Sequence, residues 1–218
     1  MIDKKKAFRR LLPLMIALCF SQACAAKTTS VQPNTKQREQ LNDYLIKVGQ
    51  KLSLFFTVEV KQPNSRTLSP LQTAVVLSRP QPTTRKGLLL LLQGALPYAT
   101  VFQDGNATNV IHIVETSLND DGNYVLNKQI NFKFSGRLND LPEALSSPLQ
   151  GGIGTQRVFA VGQVTMDFFT RVNFDVKNQT VRSILTDPVP IPKYSRILWD
   201  AVSQEVNGKL KTSIAYHG

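Results

Sequence analysis

The chain has few residues that could carry out covalent or metal chemistry. Its 218 residues include two cysteines, two histidines and one tryptophan. Both cysteines, Cys19 and Cys24, lie in the first 24 residues, so the rest of the chain has neither a disulfide nor a reactive thiol. The two histidines, His112 and His217, have no partner at the spacing of a metal site or a catalytic triad. We therefore predict no metal, no cofactor and no enzymatic activity.

The sequence also lacks the motifs of nucleotide and hydrolase sites, since it has no phosphate loop, dinucleotide fingerprint or nucleophile elbow. The segment Gly151-Gly-Ile-Gly does not clearly join a strand to a helix, and we interpret it as a flexible loop. The pair Asp120-Asp121 precedes Gly122 and is typical of a turn. An envelope hydrolase or carbohydrate-binding protein stays an alternative, and its candidate acids would be Asp140, Glu143, Asp167 and Asp175.

The hydrophobic run near the start is too short for a membrane span. Leu11–Phe20 is about ten residues long and follows a cluster of lysines and arginines, which predicts a signal peptide over residues 1–23. Two processing routes remain open: cleavage at residue 25 or 26, because Ala23-Cys24-Ala25 fits the small-x-small rule, or acylation of Cys24 in an imperfect lipobox. We expect a periplasmic protein, with a membrane tether to the outer membrane if Cys24 carries lipid.

Positive charge is in excess but dispersed. The net charge is +11, and five of the basic residues lie in the leader. Beyond the leader no basic run is longer than Arg85-Lys86, which predicts a solvated surface and no binding of nucleic acid. Residues 24–36 are polar and without aromatics, and are predicted to be a flexible tether.

Residues 37–117 show a regular alternation of helix and strand patterns. The first helix is predicted from near Thr35 to Lys51, since apolar residues recur at steps of three and four. The predicted strands are 52–60, 71–77, 98–102 and 109–114, the last two joined by a hairpin at Asp104-Gly105.

A second helix is predicted between these strands. Thr83 or Thr84 would cap its first turn. The five consecutive leucines of Leu88–Leu92 predict a helix buried on most of its surface. Gly94 is expected to end it in a left-handed C-terminal cap.

Residues 118–218 are predicted to be rich in strands. Their expected strands are 124–126, 129–134, 157–164 and 167–176, with an irregular excursion over 138–154 that holds a helical turn near 143–145. A strand–helix unit follows, with Thr180 at the cap position, and Asn207-Gly208 predicts a closing hairpin. Trp199 is assigned to the core and His217 to a frayed end.

The order of helix, strand, strand, capped helix and hairpin over Arg38–Glu115 resembles the STN domain, the secretin N0-like short domain of secretins and TonB-dependent receptors. The resemblance implies an α+β fold in which two helices pack on small sheets. It also implies binding of partner proteins rather than catalysis. No functional residue is carried over, because that family has no invariant reactive site. We accordingly expect an STN-like domain at 37–117 and a β-rich domain at 118–218 with one strand–helix unit and a closing hairpin.

These observations lead to a functional hypothesis. The chain is expected to be a non-enzymatic protein that docks to an envelope protein complex, such as a secretin-like, pilus or receptor component, through a sheet edge or a helix face. The alternatives are the carbohydrate-binding protein or hydrolase described above, and a sensor of a small ligand held between the two expected domains.

Overall fold

The structure, a computed structural model, describes residues 38–64, 67–77, 81–105, 107–155, 170–189 and 195–217. All of these residues belong to one compact unit, Lys36–Gly218. The fold is mixed α+β, as the sequence predicted. Cys24 and the predicted signal peptide and tether lie outside the described residues.

The described elements are ten strands and five α-helices. The strands are β1 (Arg38–Gln40), β2 (Phe55–Gln62), β3 (Val75–Leu77), β4 (Ala99–Gln103), β5 (Val110–Glu115), β6 (Gln129–Arg137), β7 (Ile153–Thr155), β8 (Arg171–Thr180), β9 (Ile197–Val206) and β10 (Lys209–Tyr216). The helices are α1 (Leu41–Leu52), α2 (Arg85–Ala95), α3 (Thr116–Asn119), α4 (Leu141–Ser146) and α5 (Val181–Thr186). Short 3-10 turns occupy Val125–Asn127 and Leu138–Asp140.

A six-stranded sheet with the order β4-β5-β2-β9-β10-β7 forms the centre of the fold. β2 pairs in parallel with β5 on one side and with β9 on the other. The β4–β5 and β9–β10 pairs are antiparallel hairpins. The expected boundary between residues 117 and 118 therefore does not separate two sheets, because β9, β10 and β7 extend the sheet that β4, β5 and β2 begin.

Alternating residues of the central strands divide the hydrophobic core in two. On one face, Phe56, Val58, Ile111 and Ile113 join a cluster with α1 and α2. On the other face, Phe55, Val110, Val114 and Trp199 join a cluster with α3, α4, α5 and the antiparallel ribbon β6–β8. Trp199 is fully buried, which confirms its assignment to the core.

Helix α1 follows its apolar pattern, since Leu41, Tyr44, Leu45 and Val48 are all buried. It ends after Leu52, where Ser53 adopts a left-handed conformation with φ of 54°. The helix begins at Leu41 rather than near Thr35, although residues 35–37 lie outside the described part of the chain. The three residues directly before α1 form the strand β1, which pairs with β3.

Helix α2 differs from its prediction in burial and in its end. Thr84 caps the first turn as expected, accepting a hydrogen bond of 3.1 Å from the backbone N–H of Gly87. Leu88 and Leu92 are buried, but Leu90 is 62% exposed. The helix lies on the surface of the sheet, so only one stripe of its leucines reaches the core. Gly94 is inside the helix, which ends at Ala95 without a left-handed cap.

Two predicted strands are shorter or absent. The strand expected over 71–77 covers only Val75–Leu77, because Ser69 and Gln72 exchange side-chain and backbone hydrogen bonds that form a turn before it. The strand expected at 124–126 is a 3-10 turn that follows the turn at Asp121. The strand expected at 157–164 lies outside the described residues.

Other local predictions are confirmed. The hairpin β9–β10 turns at Asn207-Gly208, where both residues have positive φ. Thr180 caps α5 by accepting from the backbone N–H of Ser183 at 3.2 Å. The helical turn expected near 143–145 is α4. In the described part of the chain, no helix is both long and apolar enough to cross a membrane.

Candidate functional site

A hydrogen-bonded cluster of polar residues is buried on the ribbon side of the central sheet, with His112 at its centre. Nδ1 of His112 on β5 lies 2.6 Å from the hydroxyl of Thr57, its cross-strand partner on β2. Nε2 of the same ring lies 2.8 Å from Oδ2 of Asp104, in the loop after β4. The rings of Phe102 and Trp199 flank the imidazole, with centroids at 5.2 and 6.4 Å.

This cluster has the hydroxyl–imidazole–carboxylate order of a catalytic triad, but its residues are buried and not accessible to solvent. The exposed fractions of Thr57, His112 and Asp104 are 0%, 1% and 6%. Thr57 points into the packed interior between the sheet and α5, where a substrate cannot reach its hydroxyl. A nucleophile must contact the reacting atom to act. The cluster therefore fastens β2, β5 and the loop after β4 to one another, and it offers no route to acyl or phosphoryl transfer in this conformation.

A buried ion pair lies two residues further along β2. Nε and Nη2 of Arg182 on α5 donate to the two carboxylate oxygens of Glu59, the second at 2.8 Å. The guanidinium also lies over the ring of Phe102, 5.5 Å from its centroid. Burial by itself lowers the pKa of Arg182, but the charge and hydrogen bonds of Glu59 outweigh it and the pKa is raised. Arg182 is thus a permanent cation that holds α5 against the sheet.

Further polar contacts extend the cluster. The hydroxyl of Thr186 accepts from the indole N–H of Trp199 at 3.3 Å and donates to the carbonyl of Arg182 at 2.8 Å. Burial raises the pKa of Tyr124 well above its ordinary value, and Glu59 adds to the rise. The phenol of Tyr124 is therefore neutral and cannot serve as a base.

The cluster comes nearest to the surface at Asp187, just after α5. Asp187 is an exposed residue, but the partial burial of its carboxyl raises its pKa, repulsion from Asp104 raises it further, and His112 opposes the change. Asp187 lines a mainly apolar recess of about 280 Å³ between α5 and β8, together with Phe174, Val176 and Ile184. No catalytic partner for Asp187 lines this recess among the described residues.

The acids proposed for the alternative hydrolase do not converge in the described part of the chain. Asp140 lines a polar recess of about 390 Å³ near the end of the β6–β8 ribbon. Glu143 is on α4 and Asp175 on β8, and neither lines that recess. Asp167 lies outside the described residues, as does Cys24. No group of three potential metal ligands occurs among the residues that are described.

His217, expected to be frayed, is held in place. Its backbone N–H donates to the carbonyl of Leu198 at 2.9 Å, and its Nε2 lies 3.2 Å from Oδ2 of Asp200. The prediction was wrong because β10 runs to Tyr216 alongside β9, so the next residue stays within reach of the sheet.

Sequence reasoning missed the partners of His112, because Thr57 is 55 positions away. A signal was present in β2, whose sequence Phe-Phe-Thr-Val-Glu-Val alternates polar and apolar residues within a strongly apolar strand. Thr57 and Glu59 fall on the same face, and in a strand covered on both sides these positions require buried hydrogen-bonding partners.

The feature with potential for binding is the half-buried edge strand β4. The backbone carbonyl of Tyr98 accepts from the N–H of Thr116, and the backbone N–H of Asp104 donates to the carbonyl of Val110. The even-numbered residues of β4 therefore direct their backbone groups toward β5. The odd-numbered residues Ala99, Val101 and Gln103 direct theirs outward, where no described strand pairs with them, although the N–H of Ala99 already donates to the carbonyl of Leu96 at 3.0 Å. The side chain of Gln93 on α2 donates to the outward carbonyl of Val101 at 3.3 Å.

Comparisons with models of protein families, with curated proteins and with solved structures found no match. What the chain does is therefore inferred from its own residues.

Proposed function

We propose that this chain is a non-enzymatic envelope protein that docks to a partner assembly by adding a partner strand to the edge of β4. The observation that carries the proposal is the composition of that edge. Ala99–Gln103 contains no charged residue and no proline. Proteins commonly protect an exposed edge strand with lysine, proline or a bulge, because an unprotected edge pairs with other chains. This edge lacks those devices and is suited to strand addition, in which backbone hydrogen bonds supply affinity. Because the N–H of Ala99 and the carbonyl of Val101 are already bonded to Leu96 and Gln93, the partner strand would pair mainly toward Gln103.

The surface of α2 beside β4 supports the same proposal. Lys86, Leu90 and Gln93 lie at helical spacing on the exposed side of α2. Leu90 is 62% exposed, more than any other large apolar side chain identified as exposed in the described part of the chain. Gln93 links this stripe to the β4 backbone. A strand added at β4 would therefore meet an apolar side chain next to its backbone contacts.

The arrangement around β2 also favours β4 as the docking edge. The part that we propose as an STN-like module, 37–117, has the order β1-α1-β2-β3-α2-β4-β5, with β1–β3 as a separate pair and β4, β5 and β2 as neighbours in the central sheet. The outer strands of such a module are β4 and β2. In this chain β9 already pairs with β2 along seven positions. Within residues 37–117, β4 is therefore the outer strand left for a partner, because β9 covers β2, while the far edge of the whole sheet is the three-residue strand β7.

The proposed setting follows from the leader. A signal peptide at 1–23 sends the chain to the periplasm, and lipid on Cys24 would hold it at the outer membrane. The partner is then an envelope complex such as a secretion, pilus or receptor assembly. The sealed His112 cluster and the dispersed acids supply no reactive group for an enzymatic alternative among the described residues.

The test uses crosslinked co-purification of the full-length protein from its native envelope. The variant Gln103→Pro removes an outward N–H from β4 without touching the ladder to β5, and Gln103→Ala is the matched control that keeps the backbone donor. We expect the wild type and Gln103→Ala to recover the same envelope protein and Gln103→Pro to lose it, with equal thermal stability in all three. Equal recovery by Gln103→Pro, or no envelope partner for the wild type, would contradict the proposal.

A further inference from the structure

A polar recess of about 390 Å³ lies at one end of the β6–β8 ribbon, which is a two-stranded sheet separate from the central one. Sites for small molecules in proteins have volumes of roughly 300–1,000 Å³, so the recess can hold a small ligand. Two arginines line it, Arg137 at the end of β6 and Arg171 at the start of β8. Both residues are exposed, so a ligand from solvent can reach them.

The two arginines lie directly opposite each other in the antiparallel register of the ribbon. One position further, the backbone N–H of Leu138 donates to the carbonyl of Thr170 at 3.1 Å. Hydrogen-bonded and non-hydrogen-bonded pairs alternate along an antiparallel ladder, so Arg137 and Arg171 form a non-hydrogen-bonded pair, in which the Cα atoms are only about 4.5 Å apart. Like charges directly opposite each other destabilise a sheet. The fold therefore brings two cationic side chains together at a cost that a bound anion would offset.

A second charged pair on the same face of the ribbon has the favourable arrangement. Lys133 on β6 pairs in register with Asp175 on β8, so the two charges are of opposite sign. The arginine pair departs from this arrangement at the end of the ribbon where the recess lies.

Neutral hydrogen-bonding groups line the recess beside the arginines. Ser135 and Asn173 form the cross-strand pair two positions from Arg137 and Arg171, on the same face, and both line the recess. A serine hydroxyl and an asparagine amide can each donate a hydrogen bond. One carboxylate, that of Asp140, lines the recess as well. The lining therefore combines a net positive charge with several hydrogen-bond donors.

We propose that this recess binds a terminal phosphate group, one that a single ester bond attaches to a lipid headgroup or to a soluble compound. Each guanidinium has a planar fork that donates two parallel hydrogen bonds to phosphate oxygens. Two forks from opposite strands need an acceptor with more than the two oxygens of a carboxylate, and a phosphate monoester presents three. The site goes beyond the strand addition proposed for β4, because it lies on another sheet and needs no partner protein.

The first experiment follows the side-chain Nε–Hε resonances of Arg137 and Arg171 while the purified protein is titrated with inorganic phosphate. Acetate at the same ionic strength is the control, because its two oxygens leave one fork without an acceptor. We expect saturable shifts with phosphate at millimolar concentration, and binding at least about tenfold weaker with acetate. The absence of a saturable shift with phosphate, or equal binding of acetate, would overturn the proposal.

Two substitutions separate the site from the overall charge of the chain. Arg171→Gln removes one fork and should weaken phosphate binding at least about tenfold. Lys177→Gln is the matched control, because it removes an exposed cation from the same strand six positions away, or about 20 Å, where charges are screened. This variant should bind phosphate within about twofold of the wild type. Equal weakening by the two substitutions, in proteins of unchanged thermal stability, would overturn the proposal.

Vesicles distinguish the two sources of the phosphate group. The probe is a vesicle of phosphatidylcholine with phosphatidic acid, whose headgroup is a phosphate monoester. Sedimentation of the wild type and Lys177→Gln, but not of Arg171→Gln, would assign the site to a lipid headgroup. Binding of inorganic phosphate without sedimentation, or with sedimentation that both substitutions reduce equally through the lost net charge, would assign it to a soluble phosphate compound. Both measurements use the protein alone, so they are independent of any partner at β4.

Discussion

Glu59 on β2 and Arg182 on α5 are 123 positions apart in the sequence and form a two-point ion pair inside the protein. Glu59 is completely buried, and the side chain of Arg182 is only 8% exposed. Because the pair joins the 37–117 part of the chain to the 118–218 part, it fastens the β8–α5 unit onto the central sheet. Unfolding either part would therefore break the pair.

We predict that Glu59→Gln lowers the free energy of unfolding by about 3–5 kcal/mol, because it leaves Arg182 as an uncompensated buried cation. Arg182→Met should cost a similar amount, because it leaves Glu59 as an uncompensated buried anion. Equilibrium unfolding in urea, followed by fluorescence of Trp199 in the same core cluster, measures both.

The matched controls distinguish a buried pair from an exposed one. The pair Lys47–Glu39 is 2.8 Å long, the same as the longer of the two Arg182–Glu59 bonds, but Lys47 is 55% exposed, so Lys47→Met should cost less than about 1 kcal/mol. The double variant Glu59→Met with Arg182→Leu should recover much of the loss, since an apolar pair of similar volume carries no desolvation cost. A cost for Glu59→Gln no larger than that for Lys47→Met would contradict the role assigned to the pair.

The hydrogen bond between Thr57 and His112 predicts which of two variants at Thr57 is the less stable. Thr57→Ser keeps the hydroxyl and loses one methyl group, so it should cost about 1 kcal/mol. Thr57→Val keeps the shape and removes the hydroxyl that bonds Nδ1 of His112, leaving a buried imidazole nitrogen unpaired at a cost of about 1–3 kcal/mol. Thermal unfolding of the two variants side by side measures the difference. A Thr57→Val protein more stable than Thr57→Ser would show that the hydrogen bond is dispensable.

Local sequence patterns predicted the features that depend on neighbouring residues. The apolar face of α1, the caps at Thr84 and Thr180 and the hairpin at Asn207-Gly208 all follow from residues within a few positions of one another. The physical cause is local in each case: helical periodicity, a hydroxyl near an unpaired N–H, or a turn that needs positive φ.

The pairing of β2 with β9 could not be predicted in this way. The sequence pattern predicts a strand at each position, but it does not show which strands are neighbours. Gln62 on β2 pairs with Gln204 on β9, which is 142 positions away. The expected division at 117/118 missed this pairing for the same reason. The buried cluster depends on it as well, because the ribbon-side face of the sheet brings Trp199 against His112 only when β9 lies beside β2. Long-range register is set by the burial of whole faces.

Two helical glycines should respond in opposite ways to alanine. At Gly49 in α1, an added Cβ would lie 2.8 Å from the carbonyl oxygen of Leu54 and 2.9 Å from the ring of Phe56. Gly49→Ala should therefore cost about 1–3 kcal/mol despite the better helix propensity of alanine. At Gly94 in α2 nothing lies within 4 Å, so Gly94→Ala should stabilise by up to about 1 kcal/mol. Urea unfolding midpoints test the pair, and two shifts of the same sign would contradict the packing of α1 on β2.

The start of α2 offers a test of a single hydroxyl. Thr84→Ala removes the acceptor for the backbone N–H of Gly87 and should cost about 1 kcal/mol. Thr83→Ala is the control, because Thr83 is equally exposed and precedes the cap position. Thermal unfolding should rank Thr83→Ala close to the wild type and Thr84→Ala below it. The reverse order would place the start of α2 one residue earlier.

The charged carboxylate of Asp187 should destabilise the folded protein, so that stability depends on pH. Burial and the neighbouring charge of Asp104 raise the pKa of Asp187 above its ordinary value of 3.8, so folding favours the protonated carboxyl. This contribution to stability is fully present below the ordinary pKa and is lost as the pH rises through the raised one. Asp187→Asn mimics the protonated form at every pH. Its stability should equal that of the wild type in acid and exceed it at neutral pH, by less than about 1 kcal/mol because Asp187 is exposed and its charge is screened by solvent. Urea unfolding of both proteins from pH 3 to pH 7 measures this difference, and a gap that is constant over the range, or that closes toward neutral pH, would contradict the environment described for Asp187.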